Sequence, residues 1–220
     1  MERNVVILIP AFNEERTLPF VIDGVKKYVR DVIVVDDGST DRTVEAAQKH
    51  GAVVHSNPKN LGPEQSCENG FRLAKKMGKE IVLTFDADEQ HKPEDIPRFL
   101  EPVLKRESDI VVGNRGTKAR ITEYLFSAYA NLRIGIHDPI CGLKAIRMEV
   151  YDRIGYFDTV NGITAQLLFQ AKKKGFKVTE LPITVDARED TPRFGRSFKA
   201  NVKIFYGLVK VILNDMGALS

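Results

Sequence analysis

Cysteine is scarce in this chain: Cys67 and Cys141 are the only two in 220 residues. They lie far apart and show no CxxC spacing. A disulfide framework and a cysteine-built metal site are excluded, and a reducing compartment is the default. Long apolar runs are also missing. The longest falls far short of the ~20 residues a membrane-spanning helix needs. The opening stretch, MERNVVILIP, is too briefly apolar for a secretory signal. These absences make a cytoplasmic location the expectation. There is no low-complexity segment and no evident repeat. The net charge of +3 is too small to argue for a nucleic-acid partner. Three site signatures are absent as well: GxxxxGK[ST], GxGxxG after the first strand, and GxSxG. A nucleotide bound by this chain would be held by acids and a metal, not by a glycine cradle.

What is present is an ordinary globular composition, 43% hydrophobic and 29% charged. A chain of this length can bury a full core, and residues 1–220 read as one domain. Apolar strand-like runs at 5–9, 31–39, 52–56, 80–85 and 109–113 alternate with helical patterns at 17–29, 39–51, 64–78 and 92–106. Strands apolar on both faces, alternating with helices, predict an α/β fold: a mostly parallel sheet with helices on both faces. Beyond this the pattern is less regular. Helices are expected at 121–136, 164–175 and 198–214, with a strand leaving the core in 176–190.

Three strand ends carry distinctive chemistry: PAFNEE (10–15), DDGS (36–39) and DADEQH (86–91). Ligands of open α/β sheets bind beyond the carboxyl ends of the strands, so these loops are expected to share one rim. Asp86 and Asp88 are two apart on nearly extended chain, so both carboxylates can point the same way, and Gln90 continues the spacing. Two carboxylates and an amide oxygen suit a hard divalent cation such as Mg²⁺ or Mn²⁺. A solvated acidic turn would give the same short pattern. Helix capping explains Gly38, Ser39 and Asp41 but not Asp36 and Asp37 together, which are candidates to accept hydrogen bonds from a nucleobase or ribose. Asn13 reads as a cap for the first helix. Pro10 and Phe12 would then shape a nucleoside pocket, with Glu14 facing into it.

The series VVILIPAFNEE, DVIVVDDGSTDRT, NPKNLG, IVLTFDADEQHKPEDI and DIVVGNR resembles the family 2 glycosyltransferases of GT-A fold, over roughly residues 4 to 115. DPICGLKAI and GFKVTELPITVDAR extend the likeness over most of the chain. Within that family it is most similar to the dolichyl- and polyprenyl-phosphate mannose and glucose synthases. The resemblance implies a single Rossmann-like GT-A sheet and a metal-dependent, inverting transfer of a hexose. The donor would be of GDP-mannose or UDP-glucose type, and the acceptor a polyprenyl phosphate. It implies a nucleotide-sugar-binding half (1–115), an acceptor half (116–197) and a terminal helix (198–213). It assigns Pro10, Ala11, Phe12, Glu14, Asp36, Asp37 and Asp86 to the nucleotide, and Asp86, Asp88 and Gln90 to the metal. It places Ser127, Asn131 and Ser197 near the acceptor phosphate, and gives Asp88, Arg115, Lys144 and Arg193 catalytic roles.

The chain departs from the family pattern at Pro63 and Glu64, at Gln166 where a Glu is usual, and at Glu123 where an Arg is usual. These departures keep two alternatives open: transfer to a soluble glycan or protein, and a nucleotide-sugar-binding relative with weak or no turnover. In the last helix, Phe198, Val202, Phe205, Val209 and Ile212 form one apolar stripe, which Ile204, Leu208 and Val211 widen. Lys199, Lys203 and Lys210 run beside it. Such a face suits peripheral contact with an anionic membrane. It equally suits packing on the protein's own core or on a second copy in a homodimer.

Overall fold

The computed structural model describes residues 4–118, 120–185 and 198–217, with the backbone alone for 198–200. Its centre is a seven-stranded sheet in the order β3-β2-β1-β4-β6-β5-β7. The strands are β1 (Val5–Ala11), β2 (Val32–Asp36), β3 (Val53–Ser56), β4 (Ile81–Thr84), β5 (Ile110–Asn114), β6 (Lys144–Arg147) and β7 (Val178–Pro182). The helices are α1 (Leu18–Lys26), α2 (Thr43–Lys49), α3 (Pro63–Lys76), α4 (Ile96–Leu104), α5 (Ile121–Ile134), α6 (Met148–Ile154), α7 (Gln166–Lys173) and α8 (Phe198–Asp215).

The continuous apolar runs become the interior strands. β2 and β4 are buried along their whole length, and β1 almost so, while β3 lies at one edge and is largely exposed. β1 pairs in parallel with both β2 and β4. The chain therefore moves outward from β1 to β2 and β3, then returns to the other side of β1 at β4. That reversal opens a crevice at the carboxyl ends of β1 and β4.

Two elements depart from the expectation. Lys144–Arg147 forms a short antiparallel strand, β6, inserted between β4 and β5. It leads directly into α6, also absent from the sequence reading. In the described part of the expected strand at 176–190 the chain forms β7, which pairs in parallel with β5 at the other edge; residues 186–190 lie outside the described residues.

The terminal helix takes up the core-packing reading along one row of its apolar face. Ile204, Leu208 and Val211 are buried against the core, while Val202 and Phe205 are half exposed. α8 packs on α5 and α7. Thr122 donates to Asn201 at one end (2.9 Å), and Tyr129 and Arg133 bond Asp215 at the other (2.7 and 2.8 Å). α5 and α8 thus run side by side in the same direction.

Candidate active site

The loops after β1 and β2 staple each other, while Asp41 Oδ1 keeps its expected capping contact with the Thr43 N–H at the start of α2 (3.0 Å). The Asn13 N–H donates to Ser39 Oγ (2.8 Å), and the Thr40 N–H donates to Asn13 Oδ1 (2.8 Å). The Glu14 N–H donates to Thr43 Oγ1 (2.7 Å), and the Arg42 N–H to Glu15 Oε2 (2.9 Å). Asn13 reaches this geometry with φ of 55°, a conformation Asn tolerates better than most residues. Glu14 is buried and accepts a hydrogen bond from Thr17 Oγ1, so it braces the loop.

The acid pair at the end of β2 is spent in the same way. Asp37 Oδ1 accepts from Asn57 Nδ2 (2.8 Å) and the Leu61 N–H (2.9 Å), and Oδ2 accepts from the Gly62 N–H (2.8 Å). Asp36 Oδ1 accepts from the Ser39 N–H (3.1 Å). Both carboxylates are buried. The loop they hold passes so close to Gly38 that a Cβ there would lie 2.6 Å from the Lys59 carbonyl carbon.

The end of β4 is different. Asp86, Asp88 and Gln90 all line a cavity of about 470 Å³, together with Pro10 from β1, a size typical of small-molecule sites. His91 Nε2 lies 2.8 Å from Asp86 Oδ2. Burial pushes the Asp86 pKa up, but His91, Lys144 and Arg115 outweigh it and hold the group below the usual carboxylate range. Gly142 is what gives this carboxylate room: a Cβ at that position would sit 2.2 Å from both Asp86 oxygens. Thr84 Oγ1 fixes the Gly142 carbonyl at 2.6 Å.

Arg115, Lys118 and Lys144 bring positive charge to the same cavity. Lys144 reaches it from β6, fully buried, donating to the Cys141 carbonyl (2.5 Å) and to Thr164 Oγ1 (3.1 Å). Burial lowers its pKa. Arg115 is held by Asp138 through Nε (2.7 Å) and Nη2 (2.9 Å). Burial alone would lower the Arg115 pKa, but the Asp138 bonds raise it, so its charge is secure. Cys67 also lines the cavity, and burial raises the pKa of its thiol, which leaves it a packing group.

Of the other residues expected here, Ser127 donates to the His137 carbonyl, and Asn131 is exposed near the end of α5. Neither lines the cavity. Arg193 and Ser197 lie outside the described residues. Gln166 is also away from the cavity, its amide engaged by Thr159 and Asn214. Glu123 pairs with Arg120. The sequence reading missed His91, Lys118 and Thr164. His91 follows directly on the acidic motif and Lys118 sits in the basic stretch after β5, so both left a signal; Thr164 left none.

The carboxylate and amide oxygens of Asp86, Asp88 and Gln90 are hard donors, and they fit a divalent ion in chemical type. Among the described residues no group of three or more His, Cys, Asp or Glu side chains could hold a metal. An ion here would complete its shell with oxygens of the ligand and of water.

The profile of Glycosyl transferase family 2 matches residues 6–155, from β1 through the DADEQ loop and β6 to α6. The chain belongs to that family. It is a glycosyltransferase of GT-A fold. Among curated proteins, the undecaprenyl-phosphate mannosyltransferase of Micrococcus luteus is 30% identical over 84% of this chain and 84% of its own length. The UDP-N-acetylglucosamine–dolichyl-phosphate N-acetylglucosaminyltransferase of Methanococcus voltae is 26% identical, covering 94% of this chain and 96% of its own. The glucosyl-3-phosphoglycerate synthase of Mycobacterium tuberculosis, solved with Mn²⁺, UDP and glucosyl-3-phosphoglycerate, superposes with a TM-score of 0.76 at 23% identity. That match covers 98% of this chain and 80% of that one.

Proposed function

We propose that this glycosyltransferase moves a hexose from a nucleotide diphosphate sugar to a polyprenyl phosphate, with a bound Mg²⁺ or Mn²⁺ and with inversion at the anomeric carbon. The observation that carries the reading is a single cavity lined both by Asp86, Asp88 and Gln90 and by Arg115, Lys118 and Lys144. Oxygen donors and cations in one cavity suit a diphosphate that arrives with a divalent ion and leaves with an added negative charge. Two relatives named for lipid-phosphate acceptors support the acceptor class, and they differ from each other in the sugar.

In this reading residues 1–115 bind the donor and 116–197 shape the acceptor side. Pro10, Ala11, Phe12 and Asp36 surround the nucleoside, while Glu14 and Asp37 hold the loops that frame it. Asp86, Asp88 and Gln90 hold the metal, which when bound offsets diphosphate charge. Arg115, fixed by Asp138, and Lys144 hold phosphate oxygens by charge-assisted hydrogen bonds. Arg193, Ser197, Ser127 and Asn131 serve the acceptor phosphate. That phosphate already carries an anionic oxygen, so attack on C1 needs positioning more than a strong base.

We also propose peripheral attachment to an anionic membrane. No helix among the described residues is long and apolar enough to cross one. The outer faces of α5 and α8, however, expose Ile121, Tyr124, Leu125, Val202, Phe205 and Tyr206. Lys203 is exposed beside them, and the Lys210 ammonium lies 4.8 Å from the Tyr206 ring centre. A polyprenyl phosphate held in the bilayer by its apolar chain would then be met at the membrane surface, where its head group lies.

The test is incubation of the purified chain with Mn²⁺, labelled GDP-mannose, UDP-glucose or UDP-N-acetylglucosamine, and a polyprenyl phosphate. Label in the organic phase is the expected result. Label only in a water-soluble product would move the enzyme to a soluble acceptor, and binding without transfer would make it a turnover-deficient relative.

A further inference from the structure

His91 ends the acidic stretch that follows β4. The chain there turns through Glu89, which takes a φ of 60°, and the reversal brings residue 91 back beside residue 86. Pro93 then seats the end of the loop against α1: a Cβ on Gly24 would lie 2.9 Å from Pro93 Cγ. The His91 side chain is 3% exposed. Its ring meets the Phe85 ring edge-on, with centres 5.7 Å apart.

An imidazole buried this deeply costs stability unless its polar atoms are used. One of them is: Nε2 lies 2.8 Å from Asp86 Oδ2. An ionised carboxylate only accepts, so the hydrogen of this contact is on Nε2. The other nitrogen, Nδ1, is buried without a partner among the described residues. Packing alone would be served better by phenylalanine, which fills the same space and has no nitrogen to leave unpaired. What the imidazole adds is its grip on a cavity-lining acid.

Asp86 has little freedom on its other side. Its carboxylate packs against Gly142, where a Cβ would come within 2.2 Å of both oxygens. His91 holds Oδ2, while Oδ1 accepts no hydrogen bond among the described residues. One oxygen is tied and the other is left to the cavity. Hydrogen bonds that orient a ligating carboxylate are worth about 10- to 100-fold in metal affinity.

We propose that His91 is a positioning residue for the metal site: its Nε2–H holds Asp86 Oδ2, and this sets Oδ1 to meet a divalent ion carried in with a nucleoside diphosphate. The role rests on Asp86 being a metal ligand, as read above. It extends the functional motif from Gln90 to His91, through a turn that the spacing of two does not reveal.

Calorimetry on the full chain with UDP and GDP, across Mn²⁺ concentrations and in EDTA, tests it. His91→Phe keeps the ring shape and the Phe85 contact but removes the donor. His91→Gln puts an amide nitrogen where Nε2 stands. His91→Asn puts one where Nδ1 stands, away from Asp86. The Phe and Asn variants are expected to raise the Mn²⁺ concentration for half-maximal nucleotide binding by about 10- to 100-fold. Gln is expected to restore most of that loss, and binding in EDTA, weak or strong, should be the same in all four proteins. A folded Phe variant with the wild-type Mn²⁺ requirement would overturn the proposal. So would a Gln variant as impaired as Phe, or losses of equal size in Mn²⁺ and in EDTA, either of which makes the ring a packing element. Should one of the two loss variants fail to fold, the other is read against Gln by the same criteria. If wild-type binding depends on Mn²⁺ and the variants match it, the positioning role alone falls. Wild-type nucleotide binding with no Mn²⁺ dependence sinks the metal reading, and the positioning role with it.

Discussion

Asp37, just past β2, accepts hydrogen bonds from Asn57, Leu61 and Gly62. Asp86, just past β4, pairs with His91 and faces the cavity. In sequence the two loops look alike, each an apolar strand running into crowded acids. They differ in the number of nearby backbone N–H groups competing for the carboxylates. Past β2 a neighbouring loop closes over Gly38 and supplies those donors. Past β4, Gly142 packs close against Asp86, and its lack of a Cβ leaves the carboxylate oxygens room at the cavity. An acid pair at a strand end is therefore a site or a clamp according to what folds over it.

The sharpest way to test this contrast is to remove one acid from each loop. Asp88→Ala is expected to cost at least about a hundredfold in Mn²⁺-dependent nucleoside diphosphate affinity while leaving the melting temperature near that of the wild type. Calorimetry with and without Mn²⁺ checks it, and wild-type affinity would remove Asp88 from the metal side. Asp37→Ala is expected to do the reverse. It leaves two backbone N–H groups and the Asn57 amide without their acceptor, a loss of about 3 kcal/mol of stability. Urea unfolding reads that loss; an unchanged midpoint would show that the clamp is dispensable.

A third test uses pH. The Asp158 pKa is raised from 3.8 to about 6 in the folded protein, so the folded state binds this proton more tightly than the unfolded one. The stabilisation is fully present below the ordinary value and is lost as pH rises through about 6. At about 1.4 kcal/mol per unit, the loss is on the order of 3 kcal/mol. Asp158→Asn should lack it, so the wild type should lose ground to the variant between pH 4 and 7. Parallel pH profiles of unfolding for the two proteins would contradict this. The smallest expected effect concerns the outer surface: Lys203→Glu should weaken binding to anionic vesicles by about 1 kcal/mol at low salt, with less difference as salt rises. Co-sedimentation that is equal at every salt concentration would return the α8 face to contacts with protein.

Much of the donor side was legible because its strands are apolar on both faces, a pattern with few other outlets than a covered parallel sheet. The DADEQ loop was legible for the same reason, since three acids past such a strand have no packing role. Asp37 was read as a ligand contact because nothing local announces that residues 57–62 will fold across it. β6 was missed because it has four residues and opens on Lys144, whose charge argues against a central strand. Only the buried contacts with the Cys141 carbonyl and Thr164 make that position tolerable. Glu64 was noticed only as a departure, since its orphaned oxygen emerges from burial in three dimensions. The stripe on α8 split into a buried and an exposed row because helical spacing shows an apolar face but not how much of it a neighbour covers.

The antiparallel insertion of β6 also sets an order of assembly. β1 to β4 hydrogen-bond directly to one another, so that half of the sheet can form as soon as residue 84 is available. β5 has no such partner. It joins the sheet only through β6 and then receives β7, so it must wait until residue 147 has been made. In the interval, one edge of β4 carries unpaired backbone groups, a template for pairing with the wrong chain. Synthesis at about 5–20 residues per second makes that interval last seconds. The most exposed moment for aggregation falls between completion of the nucleotide-binding strands and arrival of the lysine-bearing strand.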